Sequence, residues 1–132
     1  MLAACNQTSG SVQQVAASEP PPASYREQVI ARVKKSFFDP YSVRDASISQ
    51  PIPGVSFYGA MNTVCVRANA KNRFGAYTGL KETAVIFRGG KIDTTNQEYG
   101  AMACTGAVYE PFPEIEEGYR APAPARPSRK PA

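Results

Sequence analysis

Hydrophobic and polar positions follow two rhythms along this chain, separated by stretches with no rhythm at all. Over residues 24–38 the rhythm is helical: Tyr25, Val29, Ile30, Val33 and Phe37 share one face, and Arg26, Gln28, Arg32, Lys34 and Lys35 take the others. Ser24 and Glu27 have the Ser-x-x-Glu spacing of a capping box, which predicts the helix start. Pro40 disfavours helical geometry at Asp39, which predicts its end. The apolar stripe reads as a core-facing surface. Because residues 26–35 carry four basic side chains and one acidic one, a membrane-surface helix is the alternative.

Beyond Asp39-Pro40-Tyr41-Ser42, a turn by its chemistry, the rhythm changes to two. Residues 43–48 alternate loosely, with Val43, Asp45 and Ser47 set against Arg44, Ala46 and Ile48. Pro51, Pro53 and Gly54 argue against regular structure, so only a short strand over 55–58 is expected there. Residues 62–69 form a better strand, with Val64, Val66 and Ala68 on one face and Thr63, Cys65 and Arg67 on the other. If the valines face the core, Cys65 points away from it. That requires either a sheet with a helix on one side and a loop on the other, or a bulge near Cys65. Residues 80–88 are the clearest strand, with Thr83, Val85 and Phe87 opposite Ala84 and Ile86. Gly89-Gly90 predicts a tight hairpin back to a short edge strand over 91–95. Residues 96–102 read as a loop or brief helical turn, and 103–108 as weakly strand-like.

These elements predict an α+β fold: one N-terminal amphipathic helix packed on a small antiparallel sheet of about four strands. Residues 1–22 read as a flexible tether and 23–109 as the folded domain. Residues 110–132 read as a Pro-rich charged tail, in which Glu110, Glu114, Glu116 and Glu117 precede Arg120, Arg126, Arg129 and Lys130. Both ends are expected to be disordered. No apolar run is long enough to span a membrane as a helix.

Composition narrows the function classes. A formal charge of +4, scattered along 132 residues, is too small to argue for nucleic acid. With no histidine in the chain, the commonest general base and metal ligand are both missing. Asp39, Asp45, Glu82, Asp93 and Glu98 stand isolated, and Gly75-x-x-x-Gly79 lacks the Lys-Ser/Thr of a phosphate loop. The chain is therefore not expected to be an enzyme, nor to hold a metal or cofactor.

The three cysteines differ in setting. Leu2-Ala3-Ala4-Cys5 is similar to the lipobox of bacterial lipoproteins, whose cysteine carries lipid, and a basic and apolar signal segment is expected upstream of it. The Ser-, Gln- and Ala-rich residues that follow suit a tether between anchor and domain. Cys65 and Cys104 remain as a pair, expected to be disulfide-bonded in an envelope compartment, with two buried thiols in a cytoplasmic protein as the alternative.

Asp39-Pro40-x-Ser42, Val64-Cys65-Val66 and Asn69-Ala70-Lys71-Asn72-x-Phe74-Gly75-x-Tyr77-x-Gly79 together resemble small uncharacterised proteobacterial envelope proteins and lipoproteins. The resemblance spans residues 38–87 and departs at Val66, where that pattern often has glycine. It implies an envelope location and no particular activity. Read physically, the 69–79 loop has two accounts. Its Asn and Gly residues can serve turn geometry while Phe74 and Tyr77 cap the sheet edge; or Asn69, Lys71, Asn72, Arg73 and Tyr77 form a surface for a partner, either an envelope protein or a glycan. The expectation is a lipid-anchored cell-envelope protein that binds or scaffolds, facing the periplasm or cell surface, as an accessory subunit of a larger complex. The alternative is a periplasmic inhibitor or chaperone-like module acting through the disulfide-braced loop.

Overall fold

The structure, a computed structural model, describes residues 20–98 and 100–123. Its spine is the strand β3 (Gly59–Asn69), whose register and neighbours place everything else. The other strands are β1 (Arg44–Ser49), β2 (Ile52–Ser56), β4 (Lys81–Arg88), β5 (Lys91–Asn96) and β6 (Tyr109–Pro111). They form an antiparallel sheet in the order β5-β4-β3-β1-β6, with β2 also paired to β3. The helix α1 (Tyr25–Ser36) packs on one face, and a single turn, α2 (Gly100–Ala103), lies against β4.

The α+β architecture is as expected, but the sheet has six strands rather than about four, and the helix, beginning at Tyr25, is not N-terminal in the chain. β2 runs through Pro53 and Gly54, which had argued against a strand. It lies on the outer side of β3, where an edge strand tolerates a missing N–H donor. β1 and β2 lie end to end along that side of β3: β1 pairs with its second half and β2 with its first. At the handover Ser49 bridges the break. Its hydroxyl accepts from the Cys65 backbone N–H at 2.8 Å and donates to the Gln50 carbonyl at 2.9 Å.

The expected tail boundary moves. Residues 109–111 form β6 against β1, in place of the strand expected over 103–108, and Phe112 and Ile115 are buried in the main core. Arg26 draws this segment onto α1. Its guanidinium donates to both carboxylate oxygens of Glu114, to Glu110 at 3.0 Å and to the Pro111 carbonyl at 3.2 Å, and it lies over the Phe112 ring. This hydrogen bonding holds the Glu114 carboxyl below its usual range and raises the Arg26 pKa further. The acidic block thus serves a basic residue more than 80 positions away. The tether and tail segments 1–19 and 124–132 lie outside the described residues.

The core follows the predicted faces. Val29 and Val33 of α1 meet Val64, Val66, Ala68, Val85 and Phe87, with Tyr25, Ile30 and Phe37 packed around them. Burying each such aliphatic or Phe side chain stabilises by about 1.5–3 kcal/mol. β1 departs from simple alternation because Asp45 takes a positive φ of 54° and the β1–β3 register shifts there. This bulge lets Val43, Ala46 and Ile48 all face inward. The capping box does not form: Ser24 makes no side-chain cap, and its hydroxyl instead accepts from the Gln28 side-chain amide at 3.1 Å.

On the opposite face, Cys65 and Cys104 join in a disulfide with Ala84, Ile52, Ala107 and Tyr109 around it. Both faces of β3 are therefore covered, the helix-and-loop arrangement that the Cys65 position allowed, with no need for a bulge at Cys65. Among the described residues no helix is long and apolar enough to cross a membrane.

Candidate functional site

The helix is shorter than the strand it covers. At 1.5 Å per residue α1 is about 18 Å long, while β3 at about 3.4 Å per residue runs about 37 Å. The helix ends at Ser36, where Phe37 turns extended, and so stops short of the far end of the sheet. Small side chains on that stretch of sheet, Ala68, Ala70 and Thr83, deepen the gap. The result is a groove of 260 Å³ between the end of α1, the sheet and the 69–79 loop. Phe37, Phe38, Val66 and Ala68 supply apolar lining, and Lys71, Arg73 and Lys81 supply charge; among the described residues no carboxylate lines it. A shallower depression sharing Ser36 adds Arg32 and Lys35.

The 69–79 loop is held by its own side chains. The Asn72 carboxamide oxygen accepts from the Phe74 and Ala76 backbone N–H groups at 2.9 and 3.2 Å, and that of Asn69 accepts from Gly79 at 3.2 Å. Gly75 and Gly79 have φ of 76° and 99°, conformations that L side chains rarely adopt. Tyr77 folds back: its hydroxyl donates to the Ser42 carbonyl at 2.8 Å, and its ring carries the Arg44 guanidinium at 3.6 Å on its face. Ser42 ties the loop from below, its hydroxyl accepting from the Lys71 N–H at 2.8 Å and donating to the Asp39 carbonyl at 2.8 Å.

The five loop residues expected at a partner surface thus divide. Asn69 and Asn72 spend their carboxamide oxygens within the loop and Tyr77 its hydroxyl on Ser42, as the structural account supposes, while Lys71 and Arg73 line the groove with their charged ends over the Tyr77 and Phe74 rings. Phe74 does not cap the sheet edge; it is 80% exposed beside Arg73. Sequence reading missed Lys81, Phe37 and Phe38, which belong to other elements and reach the groove only through the fold. Cys65 and Cys104 lie on the other face and brace it from behind. Cys5 lies outside the described residues.

Arg26, Arg44, Arg67 and Arg88 each have a carboxylate within 4.0 Å, whereas the other described cations, Lys71, Arg73 and Lys81 among them, have none; the groove is distinctive in gathering three of these around one recess. A cation-rimmed, partly apolar recess of this kind suits an anionic group carried on an apolar or extended partner. Among the described residues no three His, Cys, Asp or Glu side chains come together as a metal site. No family model, no curated protein and no solved structure matches the chain.

Proposed function

We propose that this chain is a lipid-anchored cell-envelope protein with a binding or scaffolding role, and that it takes an acidic segment of an envelope partner in the groove at the end of α1. The observation that carries the reading is the gathering of Lys71, Arg73 and Lys81 around one partly apolar recess with no carboxylate among its described lining residues. Like charges held together with no counter-charge reduce stability, so the cluster makes sense where a ligand supplies the counter-charge. The disulfide supports an oxidising compartment, and the lipobox-like Leu2-Ala3-Ala4-Cys5 supports an anchored one.

The test is copurification from envelope membranes with mass spectrometry, comparing wild type with Lys71→Glu/Arg73→Glu/Lys81→Glu. The expected result is a stoichiometric envelope protein lost in the triple variant, whose thermal unfolding stays close to wild type. Retention of that protein by the variant overturns the groove reading. Recovery of peptidoglycan fragments in its place would move the ligand from protein to glycan.

A further inference from the structure

Exposed aromatics stand at both ends of β3: Phe38 and Phe74 at the groove, and a second group at the opposite end. There the β2–β3 hairpin projects Phe57 and Tyr58, 99% and 84% exposed, with Val55 also exposed beside them. A turn built by chance would not be supported as this one is. Gly59 takes a φ of 108°, the Tyr58 N–H donates to the Ser56 hydroxyl at 3.1 Å, and the two rings meet edge-to-face at 5.8 Å. Arg88 of β4 props the base: its guanidinium donates to the Ser56 hydroxyl at 2.7 Å and lies 5.6 Å from the centre of the Tyr58 ring. Two large aromatics are thus held out in water on a preorganised tip, which is costly unless something covers them.

The path of the chain says what that is. The Gln28 side-chain amide bonds both Ser24 and the Gly90 carbonyl, so α1 begins beside the β4–β5 turn. That turn follows Phe87, which pairs with Asn62 near the start of β3. The chain therefore enters the domain at the aromatic end, and the groove lies at the far end. Cys5 stands 15 positions before Pro20. Fully extended, that segment reaches at most about 50 Å. Because that segment is rooted at the aromatic end, a lipid on Cys5 would bring this end to the bilayer more readily than the groove end.

We infer that Phe57 and Tyr58 form a bilayer-contacting tip that enters the headgroup region of the membrane bearing the anchor, leaving the groove facing away. Aromatic side chains favour that interface, where an apolar ring and a polar hydroxyl are both satisfied. This rests on the proposal of a lipid anchor at Cys5, and the experiment supplies the anchor independently. With Cys65 and Cys104 joined, Cys5 is the one thiol left of three, so the full chain can be coupled through it to maleimide-headgroup lipid in vesicles containing phosphatidylglycerol.

The chain contains no tryptophan, so Phe57→Trp places a lone reporter at the tip. Its emission is expected to move to shorter wavelength on coupling and to be quenched by brominated acyl chains, while Phe74→Trp at the other end changes in neither respect. A tip tryptophan that stays water-like, or a response from position 74 in its place, overturns the inference. Without coupling, Phe57→Ser/Tyr58→Ser is expected to weaken vesicle binding at least about tenfold, the loss expected for even one buried aromatic; unchanged binding counts against the tip. Failure of Cys5 acylation in cells would remove the anchor proposal and leave this result standing.

Discussion

Breaking the Cys65–Cys104 disulfide should be the most damaging covalent change available to this domain. The bond spans 39 positions, and closing a loop of that length limits the unfolded chain by about 4 kcal/mol on the entropy model. Little else holds the stretch around Cys104 to its face of the sheet. The buried cluster there consists of the two cysteines and Ala84, with Ile52, Ala107 and Tyr109 only partly buried around them. With roughly 100 residues in the domain, 4 kcal/mol corresponds to a fall in Tm on the order of 20 °C. Urea unfolding of wild type, with and without reductant, and of Cys65→Ala/Cys104→Ala measures it. At a slope of about 2 kcal/mol/M the midpoint should fall by about 2 M, equally for the reduced protein and the double variant. Limited proteolysis of the reduced protein should cut first in the segment carrying α2. Midpoints differing by less than about 0.5 M, or two alkylatable thiols in protein purified from an oxidising compartment, would refute the reasoning.

A Cβ at Gly100 would lie 2.4 Å from the Glu82 carbonyl oxygen, so Gly100→Ala must lift α2 from β4; a loss of about 1–3 kcal/mol is expected, read from the urea midpoint. Ending the chain after Tyr109 removes Phe112 and Ile115 from the core and the partners of Arg26, and should leave no cooperative unfolding transition by circular dichroism. Glu114 has a lowered pKa in the fold, so its contribution is present above the usual carboxylate pKa and is lost as pH falls through the folded value; Glu114→Gln should flatten that acid limb, by a modest amount because the pair is partly solvated. Tyr109, raised to about 12 first by burial and then by its hydrogen bond to Glu82, keeps its proton in the fold after the unfolded chain has lost it. Stability should therefore fall as pH rises from about 10 to 12, and Tyr109→Phe should remove that slope in alkaline unfolding titrations.

What the sequence made legible was local. The α1 stripe, the two faces of β3 and β4 and the Gly89-Gly90 turn, with φ of 59° and 79°, all follow from periodicity and glycine chemistry within a few residues. What it hid depends on distant partners. Glu110 and Glu114 look like a solvated tail until Arg26 is placed beside them, and Phe112 and Ile115 sit among prolines where no period survives. β2 was masked by Pro53 and Gly54, whose penalty applies to a central strand and not to an edge. Ser24 makes no cap because its backbone, at φ −87° and ψ 15°, is not in the extended conformation of an N-cap. In the candidate site, Lys71 and Arg73 could be picked from one loop, but Lys81, Phe37 and Phe38 reach the groove only because α1 stops short of the sheet's end.

That same shortfall explains how one small domain supports two unlike ends. α1 ends at Ser36, three residues before Asp39, and the groove opens over the stretch of sheet beyond it. The charges tell against a purely structural origin. Arg26 lies among carboxylates and neutralising it should destabilise, whereas Lys71, Arg73 and Lys81 repel one another across an open recess. Arg26→Gln should therefore lower the Tm, while Lys71→Gln/Arg73→Gln/Lys81→Gln should leave it unchanged or raise it. A fall in the triple variant comparable to that of Arg26→Gln would mean that these cations stabilise the fold, and would remove the argument that they are held in reserve for a ligand.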